Sequence, residues 1–378
     1  MKSFNQEDCE IKKFKGISQS IYEDFAAGER LLAFNSPIMQ FFMYACMILI
    51  SWIGAKAIVA SRNSAALGMT TGDLTALFSY ATQILMALMM LSMVFTMITI
   101  SLASAHRIAE VLEEKTDIAN PTGAEMTVRD GSIRFEQVSF ACAAKANKKV
   151  LSDIDLSIAS GQTVGIIGST GSSKSSLVQL IPRLYDVSSG QLLLGGVDVR
   201  KYDLDVLRNA VAMVLQKNEL FSGTIKENLR WGNESATDEE IEEACRLACA
   251  DEFIQSFPDK YDTYIEQGGA NVSGGQKQRL CIARALLKKP KVLILDDSTS
   301  AVDTKTDASI QKSFAEFIPD TTKIIIAQRV SSVQHADRIV VMDDGKIAAC
   351  GTHDELLKTC DIYREVYESQ KKGDSDHE

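Results

Sequence analysis

The stretch TVGIIGSTGSSKSS, residues 163–176, joins a short aliphatic run to a glycine- and serine-rich segment with one lysine. Glycines let the backbone bend so that successive N–H groups converge on phosphate oxygens, and a helix that follows directly adds positive potential. In such loops the lysine, here Lys174, reaches the β- and γ-phosphates, and the next hydroxyl, that of Ser175, ligates Mg²⁺. The stretch therefore predicts a strand, a phosphate-binding loop and a helix through SLVQLIPRLY. The predicted ATP-binding residues of the loop are Gly168, Ser169, Thr170, Gly171, Ser172, Ser173, Lys174, Ser175 and Ser176.

One position of this loop departs from the pattern GxxxxGK[ST]. Ser173 stands where the pattern has its last glycine. If that position needs a positive φ, a serine there is strained and can distort the loop, because a side chain disfavours the left-handed region. The departure makes Ser173 a candidate for a weakened site.

A second stretch, VLILDDSTS at residues 292–300, is an aliphatic run that ends in two carboxylates. A buried strand with an acid at its end is the usual way to deliver a carboxylate to a metal-bound nucleotide. Asp296 is predicted to hold the Mg²⁺ shell through water, about 120 residues after the phosphate-binding loop. The role of the adjacent Asp297 depends on the family to which the domain belongs.

Short aliphatic runs alternate with helical stretches after residue 130. This alternation indicates an α/β domain with a largely parallel core sheet. The segment RIVVMDDGKIAAC adds a hairpin with Asp344 and Gly345 as its turn. The predicted strands are IRFEQVSF, TVGIIG, VAMVL, VLILD, KIIIA and RIVVM.

Two runs without a charged residue, at 38–55 and 74–102, precede this domain. At ~1.5 Å per residue each run is long enough to cross ~30 Å of hydrocarbon. They predict two membrane helices, at about residues 37–59 and 74–102, with a buried helical hairpin as the alternative. Five basic residues precede the first run and two lie between the runs, which places both termini and the α/β domain in the cytoplasm. Residues 1–35 have no signal-peptide pattern and predict a helical cytoplasmic arm.

Composition limits the partners. The 378 residues carry a net charge of −10, with no basic block and no interleaving of aromatic and basic residues, so nucleic acid is not expected as a partner. The eight cysteines are scattered without a CxxC pair, which predicts reduced structural thiols rather than a zinc site.

The segment VSGGQKQRLCIARALL, from Val272, distinguishes the chain from other phosphate-loop proteins. Here the sequence resembles the ATP-binding cassette (ABC) family, and specifically half-transporters of the exporter type. SGGQ at 273–276 resembles the family signature, VLQKNELFSGTIKENL its Q-loop region with Gln216, SAVD ending at Asp303 its D-loop, and GTHDEL a frequent C-terminal motif. The resemblance covers nearly the whole chain.

This resemblance implies an ATPase in which two nucleotide-binding domains sandwich ATP, each domain contributing half of two sites. Gln216, which is predicted to be catalytic together with Asp297 and Gln328, would contact Mg²⁺ and link the nucleotide to the membrane helices. The signature residues Ser273, Gly274, Gly275 and Gln276 would act on the γ-phosphate held by the partner. The implied domains are a partial exporter transmembrane domain at 1–112, a linker at 113–130, a nucleotide-binding domain at 131–370 and a polar tail at 371–378, in the plasma membrane.

Four departures from the family pattern fall on one half-site. Asp297 replaces the usual glutamate base, and its carboxylate would stand about 1 Å too far back, which can cost ~10²-fold in rate. Gln328 replaces the switch histidine and cannot carry charge. Cys142 replaces the adenine-stacking aromatic, and Ser173 is the fourth. Because the signature is intact, we expect a subunit of a heterodimer whose own phosphate-loop site is weak; a slow homodimer is the alternative.

The resemblance also implies six membrane spans, of which only the last two are found. A complete translocation path is therefore not expected from this chain alone. Two other hypotheses remain: a non-transporting ATP-binding membrane protein, and a non-functional gene fragment. The sequence names no transported substrate.

Overall fold

Two long apolar segments form helices in the first of the chain's two structural units, residues 1–115. The computed structural model describes residues 6–66, 68–141, 149–297 and 302–375. The described helices of this unit are α1 (Glu7–Ala33), α2 (Asn35–Ser61) and α3 (Thr71–Glu113). The apolar segments of α2 and α3 are long enough to cross a membrane, and almost none of their surface is buried within the chain. This confirms the prediction of two apolar helices and disagrees with a buried hairpin.

Helices α2 and α3 run antiparallel and approach each other closely. A Cβ atom on Gly54 would lie 2.4 Å from Leu74 Cδ1, so a larger residue there would have to displace the Leu74 side chain. At the other end of the pair, Asn35 Nδ2 donates a hydrogen bond to Ser92 Oγ at 2.8 Å. Small residues and polar side-chain bonds are the contacts that associate helices in lipid. The pair is therefore built like neighbouring membrane helices.

The second unit, residues 116–378, is an α/β unit. Its described strands are β1 (Ile133–Phe140), β2 (Leu151–Ile158), β3 (Thr163–Gly168), β4 (Ser189–Leu194), β5 (Val197–Asp198), β6 (Val211–Val214), β7 (Gly223–Thr224), β8 (Tyr264–Ile265), β9 (Val292–Asp296), β10 (Thr322–Ile326), β11 (Arg338–Asp343) and β12 (Lys346–Gly351). Its described helices are α4 (Lys174–Gln179), α5 (Leu204–Ala210), α6 (Ile225–Arg230), α7 (Asp238–Leu247), α8 (Asp251–Gln255), α9 (Gly274–Leu286), α10 (Thr304–Phe317), α11 (His353–Thr359) and α12 (Asp361–Ser375).

The core of this unit is a sheet in the order β12-β11-β3-β10-β9-β6. Its neighbouring strands are parallel except for the β11–β12 pair, which confirms the largely parallel core sheet. Strands β9 and β10 are buried along their whole length, and an apolar cluster covers each face. Such burial on both faces explains why these strands read as unbroken aliphatic runs. A separate antiparallel sheet has the order β2-β1-β4-β5.

Strand register brings three distant parts of the sequence to one edge of the core sheet. Ile326 of β10 pairs with Asp296 of β9 on one side and with Ile166 of β3 on the other. Parallel strands end at the same edge, so the residues that follow β3, β9 and β10 emerge side by side. This edge carries the predicted phosphate-binding loop, both carboxylates and Gln328.

The helix after the phosphate-binding loop is shorter than predicted. Helix α4 ends at Gln179 instead of continuing through SLVQLIPRLY to residue 185. Pro182 explains the early end, because proline lacks the N–H of a helical residue and clashes with the carbonyl four positions earlier. Arg183 follows with a positive φ of 52°, which is incompatible with a right-handed helix.

The predicted hairpin is confirmed. Strands β11 and β12 are antiparallel and joined by Asp344 and Gly345, whose φ values are 38° and 75°. Positive φ at both central residues is the two-residue hairpin geometry that favours Asp-Gly.

Residues 116–130, within the predicted linker, are bonded to the α/β unit. Asn120 Nδ2 donates to Asp203 Oδ2 at 2.6 Å, and Asn120 Oδ1 accepts from the Leu204 backbone N–H at 2.8 Å. The Glu125 N–H donates to the Lys201 carbonyl at 2.9 Å. The chain thus crosses the surface of the α/β unit before β1 begins.

Candidate nucleotide-binding site

The phosphate-binding loop has the backbone that the sequence pattern requires. Ser173 has φ 68° and ψ 23°, so the position where the pattern has glycine is left-handed, and the serine there is strained. Gly171 also has a positive φ, of 86°. At Gly168 a Cβ atom would lie 2.2 Å from the Met342 carbonyl oxygen, which leaves no room for a side chain.

Lys174 is folded onto its own loop. Its Nζ donates to the carbonyls of Gly168 and Ser169, both at 2.8 Å, and to Ser172 Oγ at 3.3 Å. Burial lowers the pKa of the ammonium, while Asp296 and Asp297 oppose that shift through their charges. The lysine therefore places a cation at the centre of the loop, where phosphate oxygens would replace the carbonyls as partners.

Ser175 and Asp296 meet directly although 121 positions separate them. Ser175 Oγ donates to Asp296 Oδ1 at 3.1 Å. Burial raises the pKa of Asp296, the Ser175 bond lowers it, and Asp297 raises it further. A carboxylate oxygen beside a hydroxyl oxygen is a donor pair that suits Mg²⁺, a cation that takes oxygen ligands and retains several waters. The residues present thus fit the predicted metal.

Asp297 is the point where two side-chain amides converge. Gln328 Nε2 donates to Asp297 Oδ2 at 2.7 Å, and Gln216 Nε2 donates to the same oxygen at 3.1 Å. The carboxyl is buried, which raises its pKa, whereas both amide bonds and the positive charges of Lys174 and Arg329 lower it. The structure therefore brings together the three residues predicted to be catalytic.

The signature segment forms the start of helix α9. Ser273 is the N-cap: its Oγ accepts from the Gln276 N–H at 3.3 Å, and Gln276 Oε1 accepts from the Ser273 N–H at 2.9 Å. Gly274 and Gly275 form the first turn, with Ser273 and Gly274 exposed. The exposed helix start presents backbone N–H groups and a hydroxyl to an anion.

One predicted site residue, and part of one predicted motif, lie outside the described residues. Cys142 is outside them. In the SAVD motif, Val302 is buried and Asp303 caps helix α10 by accepting from the Thr306 N–H at 2.9 Å, while Ser300 and Ala301 are outside.

One contact at this edge has no signal in the sequence. Gln370, in helix α12, hydrogen-bonds the backbone at Gln328 and at Val330, with distances of 2.7 and 2.8 Å. No motif includes Gln370, and more than 40 residues separate it from Gln328. Only the packing of α12 against the α/β core reveals the contact.

Fold and site together define a phosphate-loop ATP-binding domain of the ABC class. Each of the two units matches a family model. The ABC transporter family model matches residues 151–300, and the ABC transporter transmembrane region matches residues 1–89. The second unit is therefore an ABC transporter ATPase domain, and the first carries an ABC transporter transmembrane region.

Curated relatives resemble nearly the whole chain. An ABC transporter ATP-binding protein of Bacillus subtilis, YfiB, is 38% identical over 96% of this chain and 61% of its own length. The ATP-dependent lipid A-core flippase of Desulfotalea psychrophila is 35% identical over 98% of this chain and 63% of its own length. The putative multidrug export ATP-binding/permease protein YgaD of Bacillus subtilis is 42% identical over 80% of this chain and 52% of its own length. The chain thus spans less than two thirds of the length of these relatives.

A solved structure agrees with the fold. The ATP-bound structure of a bacterial Atm1-family ABC exporter matches with a TM-score of 0.88 at 29% identity, covering 98% of this chain and 64% of that one. The chain has the ABC exporter fold, with transmembrane-region helices before an α/β nucleotide-binding domain. This confirms the predicted fold class.

Proposed function

We propose that this chain belongs to an ABC exporter that uses ATP binding and hydrolysis to move a substrate across a membrane. Its own phosphate-loop half-site would turn ATP over slowly, while its signature would complete the active site of a second half-transporter. The two apolar helices would lie in the plasma membrane, with the α/β domain and both termini in the cytoplasm, because basic residues are concentrated before the first span.

ATP binding would use the residues at the carboxyl edge of the core sheet. Lys174 would exchange its carbonyl partners for the β- and γ-phosphate oxygens, and the loop N–H groups would bind the same phosphates. Ser175 and Asp296 would hold Mg²⁺, and Gln216 would offer it Oε1, since its Nε2 donates to Asp297. A bound Mg²⁺ would neutralise charge on the transferring phosphoryl group.

The observation that carries the slow half-site is the pair of amide bonds on Asp297. A general base must reach the attacking water, and both amides hold Oδ2 of Asp297, whose side chain is one methylene shorter than that of the usual glutamate. Gln328 contributes one of these donors, and unlike a histidine it cannot carry a proton away. Asp297 would therefore orient and deprotonate water poorly.

The signature would act on a different site. Its exposed helix start already satisfies the Gln276 N–H through Ser273, and the Ser273 hydroxyl proton stays free to donate to a phosphate. A partner's γ-phosphate would bind there, as in the sandwich dimer that the family resemblance implies. We propose a heterodimer, because the departures fall on the phosphate-loop side and leave the signature intact.

The test compares ATP binding and single-turnover hydrolysis by the whole chain in lipid nanodiscs, using γ-labelled ATP with Mg²⁺. We expect binding with very slow turnover. The double variant Asp297→Glu/Gln328→His should raise the single-turnover rate roughly 10- to 100-fold, because it restores the reach of the base and a group that can carry a proton.

ATP affinity is the internal control. The Kd should change by no more than about threefold in the double variant, because neither residue is expected to hold the phosphates in the ground state. Rapid turnover by the unaltered chain would contradict the slow half-site and favour a homodimer. An equal rate in the two chains would show that residues 297 and 328 do not limit hydrolysis.

A further inference from the structure

The C-terminal helix α12 is bonded to the segment that carries Gln328. Gln370 Nε2 donates to the Gln328 carbonyl at 2.7 Å, and Gln370 Oε1 accepts from the Val330 N–H at 2.8 Å. The side-chain amide of Gln370 thus binds the backbone on both sides of Arg329, as a donor on one side and as an acceptor on the other. Two simultaneous bonds define both the position and the orientation of this short backbone segment.

Packing of α12 on the α/β core explains why Gln370 reaches this segment. Tyr363 is fully buried, and its hydroxyl lies 2.7 Å from His353 Nδ1. Tyr367 packs against the same core and contacts the His353 ring. Residues four and seven positions after Tyr363 share its face of a helix, so the packing of Tyr363 and Tyr367 directs Gln370 towards the same side.

The held segment is exposed between two buried residues of the core, Ala327 and Val330. Val330 is buried in the core cluster, whereas Gln328 and Arg329 are exposed after the end of strand β10. The Gln328 side chain leaves this exposed backbone to reach Asp297 Oδ2 at 2.7 Å. The placement of the Gln328 side chain therefore depends on the group that holds the Gln328 carbonyl, and that group is the Gln370 amide.

We propose that Gln370 is a positioning residue that sets where the Gln328 amide stands relative to Asp297 and the nucleotide. The proposal rests on the proposed function of Gln328 at the ATP site. Helix α12 thereby belongs to the nucleotide site mechanically, through one side chain, although Gln370 does not touch Asp297. Loss of the clamp lets the Gln328 backbone move, so fewer encounters have the amide in place when water attacks.

The chemistry of the clamp suggests three variants. Gln370→Ala removes both bonds. Gln370→Glu keeps an acceptor for the Val330 N–H but replaces the donor to the Gln328 carbonyl with a repelling oxygen. Glu368→Ala is the matched control, because Glu368 is an exposed polar residue on the same helix.

Two measurements on the whole chain in nanodiscs test the role. Hydrogen–deuterium exchange of the peptide containing Val330 reports the clamp itself. Single-turnover hydrolysis and ATP affinity report its effect on the site. In Gln370→Ala we expect faster exchange and a rate about three- to tenfold lower, with ATP affinity unchanged, as for loss of one or two hydrogen bonds.

The glutamate variant separates positioning from mere stability. It should keep Val330 protected, since its acceptor remains, yet show the reduced rate of Gln370→Ala. Glu368→Ala should match the unaltered chain in both measurements. A parallel fall in ATP affinity and rate would indicate general loosening of the fold and would overturn the positioning role.

Other outcomes also decide the question. Unchanged exchange in Gln370→Ala would show that the clamp does not form in solution. Faster exchange with an unchanged rate would show that the clamp does not position Gln328. A separate result would refute the proposed function: no turnover by the Asp297→Glu/Gln328→His chain. The positioning role would then fail with it, whatever the exchange of Val330 shows.

Discussion

The phosphate-loop half-site and the signature half-site of this chain are built in opposite ways. The first gathers Lys174, Asp296, Asp297 and Gln328 from the ends of three strands, and its side chains bond to one another. The second is local: Ser273 and Gln276 cap their own helix through bonds that span three residues. Changes in the first half-site propagate between its members, whereas the second can stay intact on its own.

This difference would give a physical reason for the unequal half-sites that we propose. A distributed site depends on the length and charge of every member, so an aspartate in place of glutamate and a glutamine in place of histidine would alter it together. A capped helix start depends on little beyond its own turn. We infer that the phosphate-loop side can lose turnover without affecting what the signature offers to a partner.

The largest effect is expected from Lys174→Ala. It should weaken ATP binding at this half-site by roughly 10- to 100-fold, because a charge-assisted bond to phosphate is lost. Equilibrium binding of a fluorescent ATP analogue by the whole chain measures it. Lys312→Ala, an exposed lysine on α10, is the control. Unchanged affinity in Lys174→Ala would refute the assignment of the phosphate-binding loop.

Ser273→Asp tests whether the signature serves the other half of a dimer. Aspartate remains a good N-cap, so helix α9 should keep its start, while its charge repels a γ-phosphate. In the Asp297→Glu/Gln328→His background we expect at least a tenfold lower turnover with ATP affinity unchanged. A fall in affinity equal to that of Lys174→Ala would place the signature in the chain's own binding site.

Mixing two impaired chains sharpens the same comparison. A chain with Lys174→Ala and a chain with Ser273→Asp, both in that background, each lack one half of every site. Mixed dimers would contain one complete site, so about a quarter of the activity should return. No recovery on mixing would argue against sites shared between two chains.

Ser173→Gly should have the smallest effect. It removes a side chain from a left-handed position and should stabilise the α/β unit by about 1 kcal/mol, seen as a small rise in Tm. Ser169→Gly is the matched control: Ser169 is not among the described residues with positive φ, so the same replacement should destabilise slightly. Equal shifts in both variants would show that strain at Ser173 is not relieved.

Much of the fold was predictable from local sequence patterns. Strand β9 coincides with the predicted VLILD, and Asp344-Gly345 forms the predicted turn between β11 and β12, because buried parallel strands and positive-φ turns each leave a clear local signal. The length of α4 was mispredicted where the aliphatic pattern continued past Pro182. There the backbone chemistry of proline outweighed side-chain periodicity.

For the candidate site, the sequence by itself determined which residues were predicted, because loop glycines, a lysine and strand-terminal carboxylates have a chemistry that depends on type and spacing. The sequence marked Ser173 as strained only if its position needs a positive φ, and the structure has that φ at 68°. Only the tertiary structure determined which of these residues are in contact. Gln216 and Gln328 donate to the same oxygen of Asp297, and Gln370 hydrogen-bonds the backbone carbonyl of Gln328. Those contacts join residues 31 to 81 positions apart, and only the register of the sheet and the packing of α12 bring them within hydrogen-bonding distance.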